Sequence, residues 1–132
     1  MSASEISLII DGESRSAAST FERLNPVTGA VATRAAAASV EDAIAAVDAA
    51  KTAFPAWSQT GPNARRALLM KAADALDARV DDFINAMMEE IGATEGWARF
   101  NLMLSSSMVR EAAARTTQIG GEVIPSDKPG CI

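Results

Sequence analysis

Apolar and polar positions change their rhythm once along this chain, near residue 38. Before that point the pattern is one of short strands and turns. Ile6-Ser7-Leu8-Ile9-Ile10 is β-branched and apolar, and the Asp11-Gly12 that follows is a hairpin turn signal. Phe21-Glu22-Arg23-Leu24 alternates and stops at Asn25-Pro26. Thr28-Gly29 supplies a second turn, and Ala30-Val31-Ala32-Thr33-Arg34 is placed to return as a strand, although its alanines weaken it. Residues 1–38 are therefore expected to form a small β element with turns, not a full sheet.

From Ser39 the period is helical. Ser39 is a good N-cap, with Glu41 and Asp42 in the first turn, where the helix dipole favours acids. Val40, Ala43, Ile44, Val47, Ala50 and Phe54 form one apolar stripe. Pro55 predicts that this helix stops at Ala53 or Phe54, with Trp57 on a turn or a frayed end. Pro62 and Asn63 open a second helix. Its stripe runs from Leu68 and Leu69 through Ala72, Leu76, Val80, Phe83, Ile84, Met87 and Met88 to Ile91, and Gly92 is its C-cap. A third helix starts near Thr94, carries Trp97, Phe100, Leu104, Met108, Ala112 and Ile119, and meets Gly120-Gly121. The expectation for 39–120 is three long helices, and for 121–132 an extended, turn-rich tail.

Two features point to a part of something larger. The third helix is apolar around much of its circumference, because Leu102, Met103, Met108 and Val109 do not share one face. Such a helix needs neighbours on several sides. The last residues, Gly130-Cys131-Ile132, read as the start of another strand.

Composition narrows the chemistry. The 132 residues suit one domain, and 48% are apolar, but much of that is alanine, which buries little area. With no histidine and one cysteine, neither Ser-His-Asp nor Cys-His catalysis can be assembled, nor a His-based zinc site or a thiolate cluster. The net charge is −5, with basic residues scattered among acids, so nucleic acid is not an expected partner. Met1-Ser-Ala-Ser-Glu5 has no basic character, and Leu8-Ile9-Ile10 is too short for a signal peptide or membrane span. Together with the lone cysteine, this leads us to expect a cytoplasmic protein without membrane contact.

Few side chains remain as candidates for function. Cys131 has no histidine to activate it and reads as non-catalytic. Glu89 and Glu90 are adjacent on a helix and so do not face each other, which favours a solvated pair. Acids near a helix C-terminus are nonetheless unfavourable, so one of the two is expected to have a partner that the sequence does not name. Gly120-Gly121 lacks the lysine and the following helix of a phosphate loop and reads as a helix stop. Trp97, Phe100, Asn101 and Leu104 fall one turn apart, a spacing that fits core packing or an apolar pocket wall, with core favoured on physics alone.

A family resemblance emerges from the order of local signatures. Ile10-Asp11-Gly12-Glu13 is followed by Phe21 and by Asn25-Pro26-Val27-Thr28-Gly29, similar to an asparagine-proline-alanine-threonine-glycine turn. Then come Ala38-Ser39-Val40-Glu41-Asp42, Ala53-Phe54-Pro55-Ala56-Trp57-Ser58, Arg65 or Arg66, Ala72-Ala73-Asp74, Glu89-Glu90-Ile91-Gly92, Arg110 and Gly121-Glu122-Val123-Ile124-Pro125. From about Leu8 to Pro125 the succession resembles the amino-terminal region of NAD(P)-dependent aldehyde dehydrogenases. Trp97-Ala98-Arg99-Phe100-Asn101 and the tail from Gly120 to Gly130 are similar to the salicylaldehyde and vanillin dehydrogenases of that family.

The resemblance implies an α/β subunit with a Rossmann-like cofactor domain, a catalytic domain and an oligomerisation element. It also implies NAD or NADP as cofactor, an aromatic aldehyde substrate and a homo-oligomer. This segment would be the amino-terminal part of the cofactor domain, packed on the remainder of the same subunit. The family's catalytic cysteine, glutamate and oxyanion asparagine have no counterpart here, so no catalytic, cofactor-binding or metal residue is expected, and the chain alone should be inactive and prone to associate. Trp97, Phe100, Asn101 and Leu104 would line the tunnel by which the aldehyde reaches the site, and this brings the pocket-wall reading level with core. A free-standing helical interaction module without chemistry is the alternative.

Overall fold

The computed structural model describes residues 4–122 and 127–128. Most of the expected 121–132 tail, Cys131 included, lies outside the described residues.

The first apolar run forms two strands. β1 (Ser4–Ile6) and β2 (Leu8–Ile10) are separated at Ser7 and pair with different partners. β2 turns through Asp11 and Gly12, both at positive φ (56° and 76°), into β3 (Glu13–Arg15), with Ile10 opposite Glu13. Two consecutive positive φ angles are what a tight type I′ hairpin needs. β4 (Thr20–Leu24) and β5 (Val31–Ala36) pair antiparallel, and β1 joins the other side of β5 in parallel, giving the order β1-β5-β4.

The β4–β5 connection is set by Asn25. Its Oδ1 accepts from the backbone N–H of Val27 (2.9 Å) and Thr28 (3.1 Å), and its carbonyl accepts from Gly29 at 2.8 Å. Gly29 closes the turn at φ 71°. The asparagine-proline signature is thus an Asx turn.

α1 (Val40–Ser58) starts with a capping box: Asp42 N–H donates to Ser39 Oγ at 3.1 Å and Ser39 N–H to Asp42 Oδ2 at 2.9 Å. The backbone hydrogen bond from Ser39, with its side-chain bond second, holds the Asp42 carboxyl below its usual range. α1 does not stop at Ala53 or Phe54; it carries Pro55 inside and runs to Ser58, with Trp57 in its last turn. One proline near a C-terminus forfeits one bond. Arg65 offsets this by donating from Nη2 to the carbonyls of Trp57 and Ser58, both at 3.1 Å, while its guanidinium lies 5.4 Å from the centre of a Trp57 ring.

The second expected helix is two. α2 (Pro62–Ala78) ends at Arg79, whose φ −118° and ψ 30° are not helical, and α3 (Val80–Ile91) begins there, so four helices replace the three expected. The apolar positions Leu69, Ala73, Leu76, Val80, Ile84, Met87 and Ile91 stay in phase across the break, which is why periodicity alone fuses the two. The local signal was Asp81-Asp82, acids that belong in a first turn, with Arg79 Nε donating to Asp82 Oδ2 at 3.0 Å. α3 ends at Gly92 in the left-handed conformation, as expected. α4 (Glu95–Arg115) is capped by Thr94 and passes into a short 3-10 turn (Thr116–Gln118), ending before the glycine pair.

The core lies where α2 and α3 meet one face of α4. Ala73, Ala98 and Ala113 are each 0% exposed, with Ile84, Leu102 and Ser106 buried beside them. Full burial of alanines brings the helix backbones close, so the alanine-rich composition sets the interaxial distance as well as limiting buried area. The sheet joins this core through α3. Glu90 Oε1 lies 2.8 Å from Arg23 Nη2 and accepts from Thr33 Oγ1 at 3.1 Å, and Arg23 Nε donates to the same hydroxyl at 3.0 Å. Glu90 is therefore not half of a solvated pair; Glu89 is exposed. α1 buries no residue, and the stripe expected to be its core face is open, with Val40 71% and Val47 67% exposed. Its alanine flank (Ala46, Ala49, Ala50, Ala53) faces the β2–β3 turn instead.

Candidate functional site

α4 has two unlike faces. Ala98, Leu102, Ser106 and Ala113 are spaced by four, four and seven and point into the core. At about 100° per residue, Trp97, Leu104 and Met108 fall within roughly 40° of one another on the opposite side. Their exposures of 55%, 43% and 63%, with Phe100 at 45%, place this face outside the core of the described residues. The core reading of Trp97, Phe100 and Leu104 is therefore corrected. The physical reason is that α4 turns Ala98, Ser106 and Ala113, with Leu102 as the large residue among them, toward α2 and α3.

The face is ordered by local contacts. Thr94 Oγ1 accepts from Trp97 N–H at 3.4 Å and fixes the first turn. The Trp97 and Phe100 rings lie 5.6 Å apart at an interplanar angle of 32°, a tilted aromatic pair. Asn101, half-buried at the edge, donates from Nδ2 to the Trp97 carbonyl at 2.9 Å. Leu104 and then Met108 continue the strip away from the N-terminus. Met108 lies on the stripe expected for this helix but outside the expected tunnel wall; its spacing of four from Leu104 and eleven from Trp97 puts it on the same face.

Phe100 also borders a second feature. A groove of about 550 Å³ runs along the other flank of α4, lined by Phe100, Met103, Ser107 and Arg110 together with Asp77 and Val80. Arg110 Nη2 reaches both Asp74 Oδ1 (2.7 Å) and Asp77 Oδ2 (2.8 Å), clasping α4 to one turn of α2. The Ser106 hydroxyl first, and the Arg110 guanidinium second, hold the Asp77 carboxyl below its usual range. That hydroxyl also lies 3.2 Å from the Met103 carbonyl, so its one proton goes either to the helix or to Asp77. Asp77 first, then Asp74, pushes the Arg110 guanidinium up, so it stays charged at all working pH.

A carboxylate with a lowered folded-state pKa stabilises above its unfolded value and loses that contribution as pH falls through the folded value. The stability difference between the chain and Arg110→Gln should thus be widest near neutral pH and narrow as pH falls below the ordinary aspartate range. Urea unfolding at several pH values checks this, and a gap independent of pH would refute it.

None of these groups forms a catalytic set. Among the described residues no cluster of three His, Cys, Asp or Glu could hold a metal ion. No helix of the described residues is long and apolar enough to cross a membrane. A dinucleotide does not fit the β5–α1 junction: Ala37-Ala38-Ser39 has no glycine for close backbone approach, and Asp42 already occupies the helix N-terminus that would receive a pyrophosphate.

Comparison with known proteins shows what the chain is similar to. The model of the aldehyde dehydrogenase family matches residues 13–131. A vanillin dehydrogenase from Pseudomonas fluorescens is 54% identical over 128 residues, which is 96% of this chain and 26% of that protein. The crystal structure of a salicylaldehyde dehydrogenase from Pseudomonas putida G7 complexed with salicylaldehyde superposes with a TM-score of 0.92 at 43% identity, covering 96% of this chain and 27% of that one. An NAD-dependent benzaldehyde dehydrogenase from Corynebacterium glutamicum superposes with a TM-score of 0.86 at 27% identity, over 92% and 27% of the two chains. The chain thus spans about a quarter of the length of the relatives it matches.

Proposed function

The chain belongs to the aldehyde dehydrogenase family, and we propose that it forms the amino-terminal part of a cytoplasmic, homo-oligomeric subunit that oxidises an aromatic aldehyde to the carboxylic acid with NAD or NADP. The nucleophile, the base and the cofactor-binding strands belong to the remainder of that subunit, with which this segment packs. Its own contribution is scaffold and substrate wall: Trp97, Phe100, Asn101 and Leu104 line the path of the aldehyde. The observation that carries this reading is the apolar strip on α4 that faces away from the chain's own core. Flat aromatic walls suit a flat aromatic ring, which gains both area burial and ring–ring attraction. The relatives named for vanillin, salicylaldehyde and benzaldehyde support the substrate class.

The test is kinetic, on the subunit that carries this segment. NAD(P) reduction should be faster with aromatic than with short aliphatic aldehydes. Trp97→Ala should raise KM for the aromatic substrates about tenfold, with a smaller change in kcat, because ring contact is present before and during the reaction. Trp97 is largely exposed in the chain, so its removal leaves the core intact. An unchanged aromatic-to-aliphatic ratio would remove Trp97 from the wall.

A further inference from the structure

Asn101 is the polar side chain in the apolar strip of Trp97, Phe100, Leu104 and Met108. A carboxamide has one face that donates and one oxygen that accepts. A backbone carbonyl only accepts, so the 2.9 Å contact with the Trp97 carbonyl fixes which end of the amide is Nδ2. The acceptor Oδ1 must then point away from the helix backbone. Among the described residues no donor reaches Oδ1. The strip therefore has an oriented hydrogen-bond acceptor, half-buried, at its edge.

Resting on the reading that this face lines the aldehyde path, we propose that Asn101 is a specificity residue that selects hydroxylated aromatic aldehydes, its Oδ1 accepting a hydrogen bond from a hydroxyl on the substrate ring. An apolar wall alone discriminates weakly between an unsubstituted ring and its hydroxyl derivative. A fixed acceptor at the edge of that wall changes this, because a ring hydroxyl carried into an apolar path without a partner loses its hydration uncompensated. The donor and acceptor roles match: a phenol O–H donates, and Oδ1 accepts. Asn101 takes no part in bond making; it orients and selects the ring. The vanillin and salicylaldehyde in the relatives' names are both ring-hydroxylated.

The experiment uses the active subunit and compares benzaldehyde with its ortho, meta and para hydroxy derivatives, for wild type and Asn101→Leu. In the variant, kcat/KM for at least one hydroxybenzaldehyde should fall about tenfold, mostly through KM, the loss expected for one neutral hydrogen bond. Benzaldehyde should fall less, so that the ratio of kcat/KM for that hydroxybenzaldehyde to that for benzaldehyde drops several-fold. Asn101→Ala, which suits the helix well, gives the same comparison should leucine disturb folding. A parallel fall for all four aldehydes, or for none, overturns the proposal, since a merely structural role would not distinguish them. A wild-type subunit that oxidises no aromatic aldehyde overturns the reading beneath it, and this inference with it.

Discussion

Leu102→Ala should lower the stability of the chain by about 2–3 kcal/mol, while Met103→Ala, one residue on, should change it by no more than about 0.5 kcal/mol. Leu102 is 5% exposed on the face of α4 that packs against its neighbours, whereas Met103 is 60% exposed beside the groove. Removing a buried isobutyl group costs its transfer free energy and leaves a cavity, because α2 and α3 are held at close range by Ala73, Ala98 and Ala113 and cannot collapse fully. The value sits at the lower end of the usual range because this core is thin, and a thin core relaxes more easily. Urea unfolding followed by far-ultraviolet circular dichroism, at a concentration low enough to suppress association, measures both. Equal losses at 102 and 103 would mean that α4 is rotated from the orientation described.

Gly92→Ala should cost about 2–4 kcal/mol, from two separable sources. Gly92 sits at φ 66°, where an L-residue pays about 1 kcal/mol or more in backbone strain. A Cβ built there would also lie 2.9 Å from Val27 Cγ2 and 3.0 Å from Pro26 Cγ, so the Asn25 turn would have to move or overpack, at about 1–3 kcal/mol. Trimming the neighbour separates the two: in a Val27→Ala background the Gly92→Ala cost should shrink by about 1 kcal/mol, leaving the backbone part and the Pro26 contact. The same unfolding assay reads the cycle. A cost unchanged by Val27→Ala would mean that the turn does not rest on the end of α3.

Gly92 shows how sequence and structure divide the information. Its role as a helix stop was legible, because a left-handed residue after an apolar periodic run favours glycine. Its second role, making room for Pro26 and Val27, was not, since those residues are more than sixty positions away and meet it only once the sheet docks on α3. Glu90 behaves likewise. An acid in the last turn of a helix signals a missing partner, yet only the docked sheet brings Arg23 and Thr33 to it. The α2–α3 break stayed hidden for the opposite reason: the stripe keeps its phase across Arg79, so the strongest local signal carried no sign of the bend.

The amino-acid sequence by itself determined the local elements whose causes are local: the Asp11-Gly12 and Asn25–Gly29 turns, the Ser39 and Thr94 caps, the Pro62 start and the Gly92 stop. The ordered succession of those pieces also carried the family. What only the tertiary structure decided was which side of each helix is inside. Periodicity shows that Val40, Ile44 and Val47, or Trp97, Leu104 and Met108, share a face, because the helix repeat is a property of one segment. It cannot show what covers that face. Among the described residues both strips are open, and burial on α4 falls instead on Ala98, Leu102, Ser106 and Ala113. Close approach of backbones lowers the free energy of α2, α3 and α4 together, and that is a property of three helices at once, not of any one of them.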